Sequence, residues 1–235
     1  MKVHEIAGWL DGVLEVGKFD DVSNNGIQVA REGDDIASVA FGVDASVDFI
    51  KASADAGAQL CVVHHGISWG GGIRRIVGSE YEVVRAAIGC NVALYAVHLP
   101  LDASMKCGNN RELARHLRLT DVERAFSYHG NVIGVTGRAT RTGEFRVGET
   151  DVRLVKGMKV GVCSGGAGGF AVEAKALGCD IYVTGEASWG DVVAARNVGM
   201  KMVCAGHYET ETFGPRALCR LFVRRFPSVA AVCPL

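Results

Sequence analysis

Two adjacent histidines end an apolar run in the segment LCVVHHGISWGGG, which spans residues 60–72. Imidazole is the commonest metal ligand in proteins, and the side chains of His64 and His65 would point in different directions on an extended backbone. One metal for each ring is therefore a natural use of the pair. The alternative is that each histidine is only a hydrogen-bonded polar residue at a strand end. The choice between these two interpretations depends on whether other potential metal ligands lie close to the pair.

Further histidines and carboxylates recur at matched positions in two parts of the chain. The segment VVHHGISWGG is followed by a predicted helix, a strand, and then His98-Leu-Pro-Leu-Asp102. The segment YVTGEASWGD is followed by the same sequence of elements, and then by His207-Tyr-Glu-Thr-Glu211. Each second strand thus stops at a histidine with a carboxylate four residues later. This match favours an old duplication over chance similarity between two βαβ units.

Imidazoles and carboxylates together form a mixed nitrogen and oxygen donor set. Zinc, manganese, iron, cobalt and nickel ions accept such ligands, and five or six candidates indicate two ions rather than one. Two metals about 3.5–4 Å apart can share a hydroxide or an oxyanion. Ligands in open α/β sheets gather beyond the carboxyl ends of strands, where all of these side chains fall. The six candidates are His64, His65, His98, Asp102, His207 and Glu211, and Glu186 lies at such a strand end as well.

The elements that must position these residues alternate between strands and helices. Helices are predicted over 2–17, 45–57, 79–89, 109–118, 169–178, 190–198 and 212–225, and strands over 38–43, 59–63, 91–97, 158–163, 180–184 and 200–205. This rhythm predicts an α/β fold with two pseudo-repeated halves and mixed, largely parallel sheets. Residues 131–139 and 145–155 flank the turn TRTG and predict an antiparallel hairpin between the halves. We expect a single domain, 1–235, with approximate halves 1–120 and 121–235 and the metal site between them.

Composition limits the classes of function. The formal net charge of −1 over 235 residues gives no electrostatic reason to expect nucleic acid or an anionic membrane surface. Eight cysteines without a C-x-x-C pair are typical of reduced thiols. The first twenty residues contain no apolar secretion signal, and no run of eighteen apolar residues predicts a membrane span. We expect a cytoplasmic protein.

Two other features suggest nucleotide binding less strongly. The segment GVCSGGAGGF lies between a strand and a helix but lacks both nucleotide-binding glycine fingerprints, which favours a tight βα turn. Trp69 and Trp189 each follow a serine in a matched turn. Packing is favoured over base stacking for both.

The segments VVHHGISWGG, YAVHLPLDA, VTGE and GHYETETFG resemble the signature segments of the Nif-three-like family, in the right order and over nearly the whole chain. Its members are hexameric dinuclear-metal-centre proteins, often called GTP cyclohydrolase 1 type 2 homologues. The resemblance implies a Nif-three-like fold in its short form, without an inserted mid-chain domain. It also implies a toroidal homohexamer, a trimer of dimers, around a central cavity.

The resemblance further implies two divalent metal ions per subunit, of zinc, iron, manganese, cobalt or nickel. The implied ligands are His64, His65, Asp102, His207 and Glu211. Glu211 would bridge the ions. His98 would line the same pocket without being a main ligand.

These expectations lead to three functional hypotheses. The first is a metal-dependent hydrolase, of cyclohydrolase or phosphoester type, acting on a nucleotide-like or phosphorylated small molecule. His98 and Glu186 are its candidate proton shuttles. The second is a non-enzymatic metal-binding ring or scaffold. The third is a nucleic-acid-associated hexamer, against which the near-neutral charge weighs.

Overall fold

The computed structural model describes residues 1–235, which form twelve strands and nine α-helices. The strands are β1 (Gly26–Val29), β2 (Ser38–Asp44), β3 (Leu60–His65), β4 (Ala93–Ala96), β5 (Leu119–Tyr128), β6 (Asn131–Ala139), β7 (Gly143–Val147), β8 (Thr150–Leu154), β9 (Lys159–Cys163), β10 (Ile181–Thr184), β11 (Lys201–Cys204) and β12 (Ala230–Val232). The helices are α1 (Val3–Leu14), α2 (Val47–Asp55), α3 (Gly78–Gly89), α4 (Leu99–Ala103), α5 (Asn109–His116), α6 (Ala171–Ala176), α7 (Trp189–Asn197), α8 (His207–Glu211) and α9 (Phe213–Arg225).

The chain divides into two compact units. Unit 1 contains Met1–Leu101 and Pro215–Leu235, and unit 2 contains Asp102–Gly214. The chain therefore leaves unit 1 once and returns to it. The halves 1–120 and 121–235 were predicted from the sequence repeat, and they stay a prediction. The boundaries of the two compact units differ from them.

Unit 1 is built on a five-stranded sheet of order β1-β4-β3-β2-β12. The last four strands run parallel, while β1 is antiparallel to β4. Strands β2 and β3 are almost entirely buried, which is why they read in the sequence as continuous apolar runs rather than alternating ones. Trp9 of α1 packs edge-on against Phe222 and Phe226, with ring centroids 5.9 and 5.3 Å apart. Residues from both ends of the chain thus share this core.

Unit 2 is built on a second five-stranded sheet, of order β11-β10-β9-β6-β5. Strands β9, β10 and β11 are parallel, and β6 and β5 extend the sheet in antiparallel fashion. Its core contains apolar side chains of strands β6 to β10 and of α5. The prediction of an α/β fold with mixed, largely parallel sheets is confirmed.

Each unit contains one of the two βαβ segments that were matched in the sequence. In unit 1, α3 connects the adjacent parallel strands β3 and β4, and in unit 2, α7 connects β10 and β11. The carboxyl end of a strand in each segment therefore precedes the candidate residues.

The hairpin predicted from residues 131–139 and 145–155 is wrong. Strand β6 pairs with β5 and β9, whereas β7 and β8 form a separate two-stranded hairpin that turns at Gly148. Four elements were not predicted from the sequence: β5, β12 and the short helices α4 and α8. Every helix of the protein is too short or too polar to span a bilayer.

Candidate metal centre

Three imidazoles cluster at the carboxyl ends of two parallel strands of unit 1. His64 and His65 are the last two residues of β3, and His98 follows the neighbouring strand β4. The ring centroid of His64 lies 4.5 Å from that of His65 and 5.1 Å from that of His98. One nitrogen of each ring lies within 4.8 Å of the others. His64 is fully buried, and the other two are partly exposed.

The Nδ1 atom of each ring contacts an oxygen atom of the protein. His64 Nδ1 lies 3.1 Å from the carbonyl oxygen of Val97, and His65 Nδ1 lies 2.8 Å from Oδ1 of Asp44. A carbonyl oxygen or an ionised carboxylate only accepts, so Nδ1 donates, and in the neutral ring Nε2 carries the lone pair. Histidines that bind metals through Nε2 are oriented in this way by carbonyls and carboxylates.

The third imidazole, His98, is held by Asp21, a residue not predicted from the sequence to belong to the site. Its Oδ1 lies 2.9 Å from Nδ1 of His98, and its Oδ2 accepts from the backbone N–H of Leu99 and the side chain of Asn25, each at 2.9 Å. Asn25 in turn accepts from the backbone N–H of His98 at 2.9 Å. Burial raises the pKa of Asp21, but hydrogen bonds from His98 and Asn25 outweigh it and lower the pKa below its ordinary value.

Unit 2 contains a second cluster, of one imidazole and two carboxylates. His207 is the first residue of α8, and Glu211 is its last, so the two side chains lie on the same helical face. His207 Nε2 lies 3.3 Å from Oε1 of Glu211, and Nδ1 lies 3.0 Å from Oε1 of Glu186. The hydrogen bond to Glu211 and the negative charge of both carboxylates raise the pKa of His207 to about 9.

Asp102 is buried in unit 2 and is positioned by neutral side chains. Its Oδ1 accepts from Nδ2 of Asn109 at 2.9 Å and from Oγ of Ser164 at 3.1 Å. Asn109 is fully buried and also accepts from the backbone N–H of Gly214 at 2.6 Å. Both donors are neutral groups, so they position the carboxylate of Asp102 without adding a positive charge beside it.

The glycine-rich turn after β9 makes room for the carboxylate of Glu211. A Cβ atom at Gly165 would lie 2.3 Å from Oε1 of Glu211 and 3.2 Å from Nε2 of His207, and the φ angle of Gly165 is +66°. The backbone N–H groups of Ser164 and Gly165 donate to Asn110 and Thr210. These backbone N–H groups are already hydrogen-bonded within the protein, and the neighbouring side chains are acidic. The turn is therefore unsuited to binding phosphate.

Within unit 1 the structure thus brings His64, His65 and His98 together, and within unit 2 it brings His207 together with Glu186 and Glu211. Asp102 lies in unit 2 with its own set of hydrogen-bond donors. Four further residues orient these side chains and were missed: Asp21, Asp44, Asn109 and Ser164.

The family model of Duf34/NIF3 (NGG1p interacting factor 3) matches residues 1–233. This chain belongs to the DUF34/NIF3 family. A relative from Deinococcus radiodurans is 39% identical over 227 residues, which cover 91% of this chain and 86% of the relative. Another, from Pyrococcus horikoshii, is 35% identical, and the match covers 94% of this chain and 93% of the relative. Both are named GTP cyclohydrolase 1 type 2 homolog.

Solved structures of similar proteins share the fold of this DUF34/NIF3 protein. The structure of protein ybgI has a TM-score of 0.85 at 26% identity and covers 99% of this chain and 97% of its own. TTHA1606 from Thermus thermophilus has a TM-score of 0.79 at 27% identity, with the same coverage. The family resemblance and the fold class predicted from the sequence are both confirmed.

The side chains of this DUF34/NIF3 protein fit divalent transition metals. Unit 1 offers three imidazoles, which suit zinc, iron, cobalt and nickel, and unit 2 offers an imidazole with buried carboxylates. Any side chain at position 165 would occupy the space beside the carboxylate of Glu211. Glu211 and Glu186 favour the protonated form of His207. A divalent cation bound by His207 would take the place of that proton.

Proposed function

We propose that this protein binds two divalent metal ions and hydrolyses a nucleotide-like or phosphorylated small molecule. The ligands that we propose are His64, His65, Asp102, His207 and Glu211, with Glu211 as the bridge. The observation that carries the proposal is the arrangement of the three imidazoles in unit 1. Each directs Nδ1 to a carbonyl or carboxylate oxygen, and their ligand atoms converge within 4.8 Å.

The buried carboxylates of unit 2 support the same proposal. Asp102 and Glu211 are each less than a tenth exposed. Burying an ionised carboxylate is costly, and coordination of a metal ion is one of the ways in which proteins offset that cost. Asn109 and Ser164 orient Asp102 with neutral donors, which do not cancel its negative charge and so preserve its attraction for a cation.

The metals, when bound, would supply a water of lowered pKa and polarise a phosphoryl or ring C–N bond. The protein's own residues would hold substrate and move protons. His98 is our candidate for accepting or returning a proton in unit 1. Asp21 accepts a hydrogen bond from its Nδ1 and so fixes the orientation of its ring. Glu186 is the candidate in unit 2, since it is exposed and contacts His207.

Metal content tests the first half of the proposal. Protein purified without chelator or nickel affinity should contain about two transition-metal ions per chain by elemental mass spectrometry. His65→Ala and Glu211→Ala should each lose metal, while His4→Ala, which changes an exposed histidine at the start of α1, should not. Metal-free wild type that stays metal-free after anaerobic reloading with Zn²⁺, Mn²⁺ and Fe²⁺ would refute the metal centre.

Hydrolysis tests the second half. Metal-loaded wild type should release phosphate or open a ring in a screen of nucleotides, phosphoesters and cyclic amides. Asp102→Asn keeps the oxygen that accepts from Asn109 but removes the negative charge, so it should fold and lose turnover. Equal turnover by the folded variant and the wild type would contradict a role for Asp102.

We further propose that the chain assembles as a homohexamer, a trimer of dimers. Exposed apolar side chains in and before α3 support an interface in unit 1: Ile76, Val77, Tyr81 and Ile88. Light scattering should give six times the 24.9 kDa of one chain. Ile88→Glu should lower that mass, and a wild-type mass of one chain would refute the assembly.

A further inference from the structure

An exposed aromatic ring stands beside the imidazole cluster of unit 1. The centroid of Trp69 lies 5.2 Å from that of His98, at 78° between the planes, and 6.2 Å from that of His65. The residue is 38% exposed. A large ring that is not packed into a core but contacts two functional histidines is available to a ligand.

Hydrogen bonds and a β-bridge tie the loop that carries Trp69 to its neighbours. The indole Nε1–H donates to the carbonyl of Gly66 at 3.0 Å, and Oε1 of Gln28 accepts from the backbone N–H groups of Ile67 and Ser68. Ser23 forms a β-bridge with Trp69. A fixed aromatic ring costs little conformational entropy when a planar ligand stacks on it.

The other tryptophans lack this setting. Trp9 packs against Phe222 and Phe226 in the core. Trp189 occupies the matched Ser-Trp-Gly turn of unit 2 and is 70% exposed, but its ring lies under the guanidinium of Arg196, 5.3 Å from the centroid. Trp189 therefore provides an internal control for an exposed indole in the same motif.

We propose that Trp69 stacks on a planar heteroaromatic ring of the nucleobase type and places it beside His65 and His98. The exposed guanidinium groups of Arg74 and Arg75 follow in the same loop and favour a ring that carries an anionic group. The substrate of the proposed hydrolase would thus be a nucleotide rather than a phosphorylated sugar or a simple phosphoester. This inference rests on the proposed function for the chemistry of the site, but binding can be measured without turnover.

The test is equilibrium binding to the metal-loaded protein, by titration calorimetry and by tryptophan emission. The probes are guanosine and adenosine 5′-monophosphate, with ribose 5-phosphate as the probe that lacks the ring. We expect both nucleotides to quench emission and to bind more tightly than ribose 5-phosphate. Trp69→Ala should weaken nucleotide binding about five- to hundredfold, the range for losing one stacked base.

Two variants separate stacking from loss of structure. Trp69→Phe keeps an aromatic face and should recover most of the affinity, whereas Trp189→Ala should bind as the wild type does. Nucleotide binding by Trp69→Ala that equals the wild type's would overturn the inference. So would ribose 5-phosphate binding as tightly as the nucleotides.

Metal content measured on the same samples separates this inference from the proposed function. Two ions per chain without nucleotide binding would refute the stacking site and leave the metal centre standing. Nucleotide binding that depends on Trp69 in protein that takes up no metal would refute the metal centre and support the stacking site.

Discussion

Nδ1 of His98 lies 2.9 Å from Oδ1 of Asp21, a residue 77 positions earlier in the chain. The other oxygen of the same carboxylate accepts from the backbone N–H of Leu99, at the start of α4. One buried carboxylate therefore fixes both the ring of His98 and the backbone that follows it. The loop around Asp21 is consequently part of the site, although it contributes no proposed metal ligand.

We predict that Asp21→Asn destabilises the metal-free protein by about 1–3 kcal/mol at pH 7, because the amide cannot accept all the hydrogen bonds of the carboxylate. The folded-state pKa of Asp21 lies below its ordinary value, so its stabilisation is complete above about pH 4. It is lost as the pH falls through the lower, folded-state pKa. The difference between wild type and variant should shrink over that range.

Urea unfolding of the metal-free proteins between pH 3 and 7 measures this difference. Asp20→Asn is the matched control, since Asp20 is exposed and immediately precedes Asp21. A difference between wild type and Asp21→Asn that does not change with pH would contradict the predicted linkage.

Gly165→Ala should destabilise unit 2 and reduce metal content, because the new Cβ would lie 2.3 Å from Oε1 of Glu211. The positive φ adds about 1–2 kcal/mol and the steric clash about 1–3 kcal/mol. Gly178→Ala is the control, since its φ is +74° and its Cβ would meet nothing within 4 Å. Thermal unfolding should separate the two variants, and equal losses would mean that only backbone strain matters.

Asn109→Asp should cost about 3 kcal/mol or more at neutral pH, because a second buried carboxylate would replace the amide that donates to Asp102. Urea unfolding at pH 7 measures this cost. Asn131→Asp makes the same chemical change at a half-exposed position, and a similar cost there would refute the prediction.

Cys233 should be the most readily alkylated thiol near neutral pH. A hydrogen bond from Cys219, opposed by burial and helped by the charges of Arg216 and Arg220, lowers the pKa of Cys233 to about 7. Cys204 is more exposed, but partial burial and nearby carboxylates raise the pKa of its thiol. The thiolate is the reactive form, so the half-buried cysteine should react before the exposed one.

Peptide mass mapping after brief iodoacetamide treatment, from pH 6 to 9, follows both thiols. The rate at Cys233 should rise with a midpoint near pH 7. Cys219→Ala should move that midpoint upwards, because the thiolate loses its hydrogen-bond donor. Faster labelling of Cys204 at pH 7 would count against the prediction.

The α/β class and the histidine clusters could be predicted because they depend on local patterns. Buried parallel strands read as apolar runs, and the histidines come at their ends. Strand β5 could not be predicted in the same way. Most of its residues are exposed, its pairing with β6 is interrupted by a register shift, and Asp121 and Phe126 have positive φ angles. The alternation that marks a strand is therefore absent.

The residues that orient the site could not be predicted because their partners are distant in the chain. Asp21 lies in a polar segment that reads as a turn, and nothing local connects it with His98. Asn109 begins a helix, and its acceptor contact is with Gly214, 105 positions away. Short helices such as α8 carry only five residues, too few to display helical periodicity.

Because the chain returns to unit 1 after unit 2, the residues of unit 1 are synthesised in two separate stages. Strand β12 adds to β2 with Ala230 beside Ser38, and Phe222 and Phe226 pack on Trp9. The residues of unit 2 therefore all leave the ribosome before the last twenty-one residues of unit 1 do. Until those residues emerge, β2 is unpaired along the edge that β12 later covers. A nascent chain stalled before Pro215 would leave that edge of β2 open to pairing with another chain.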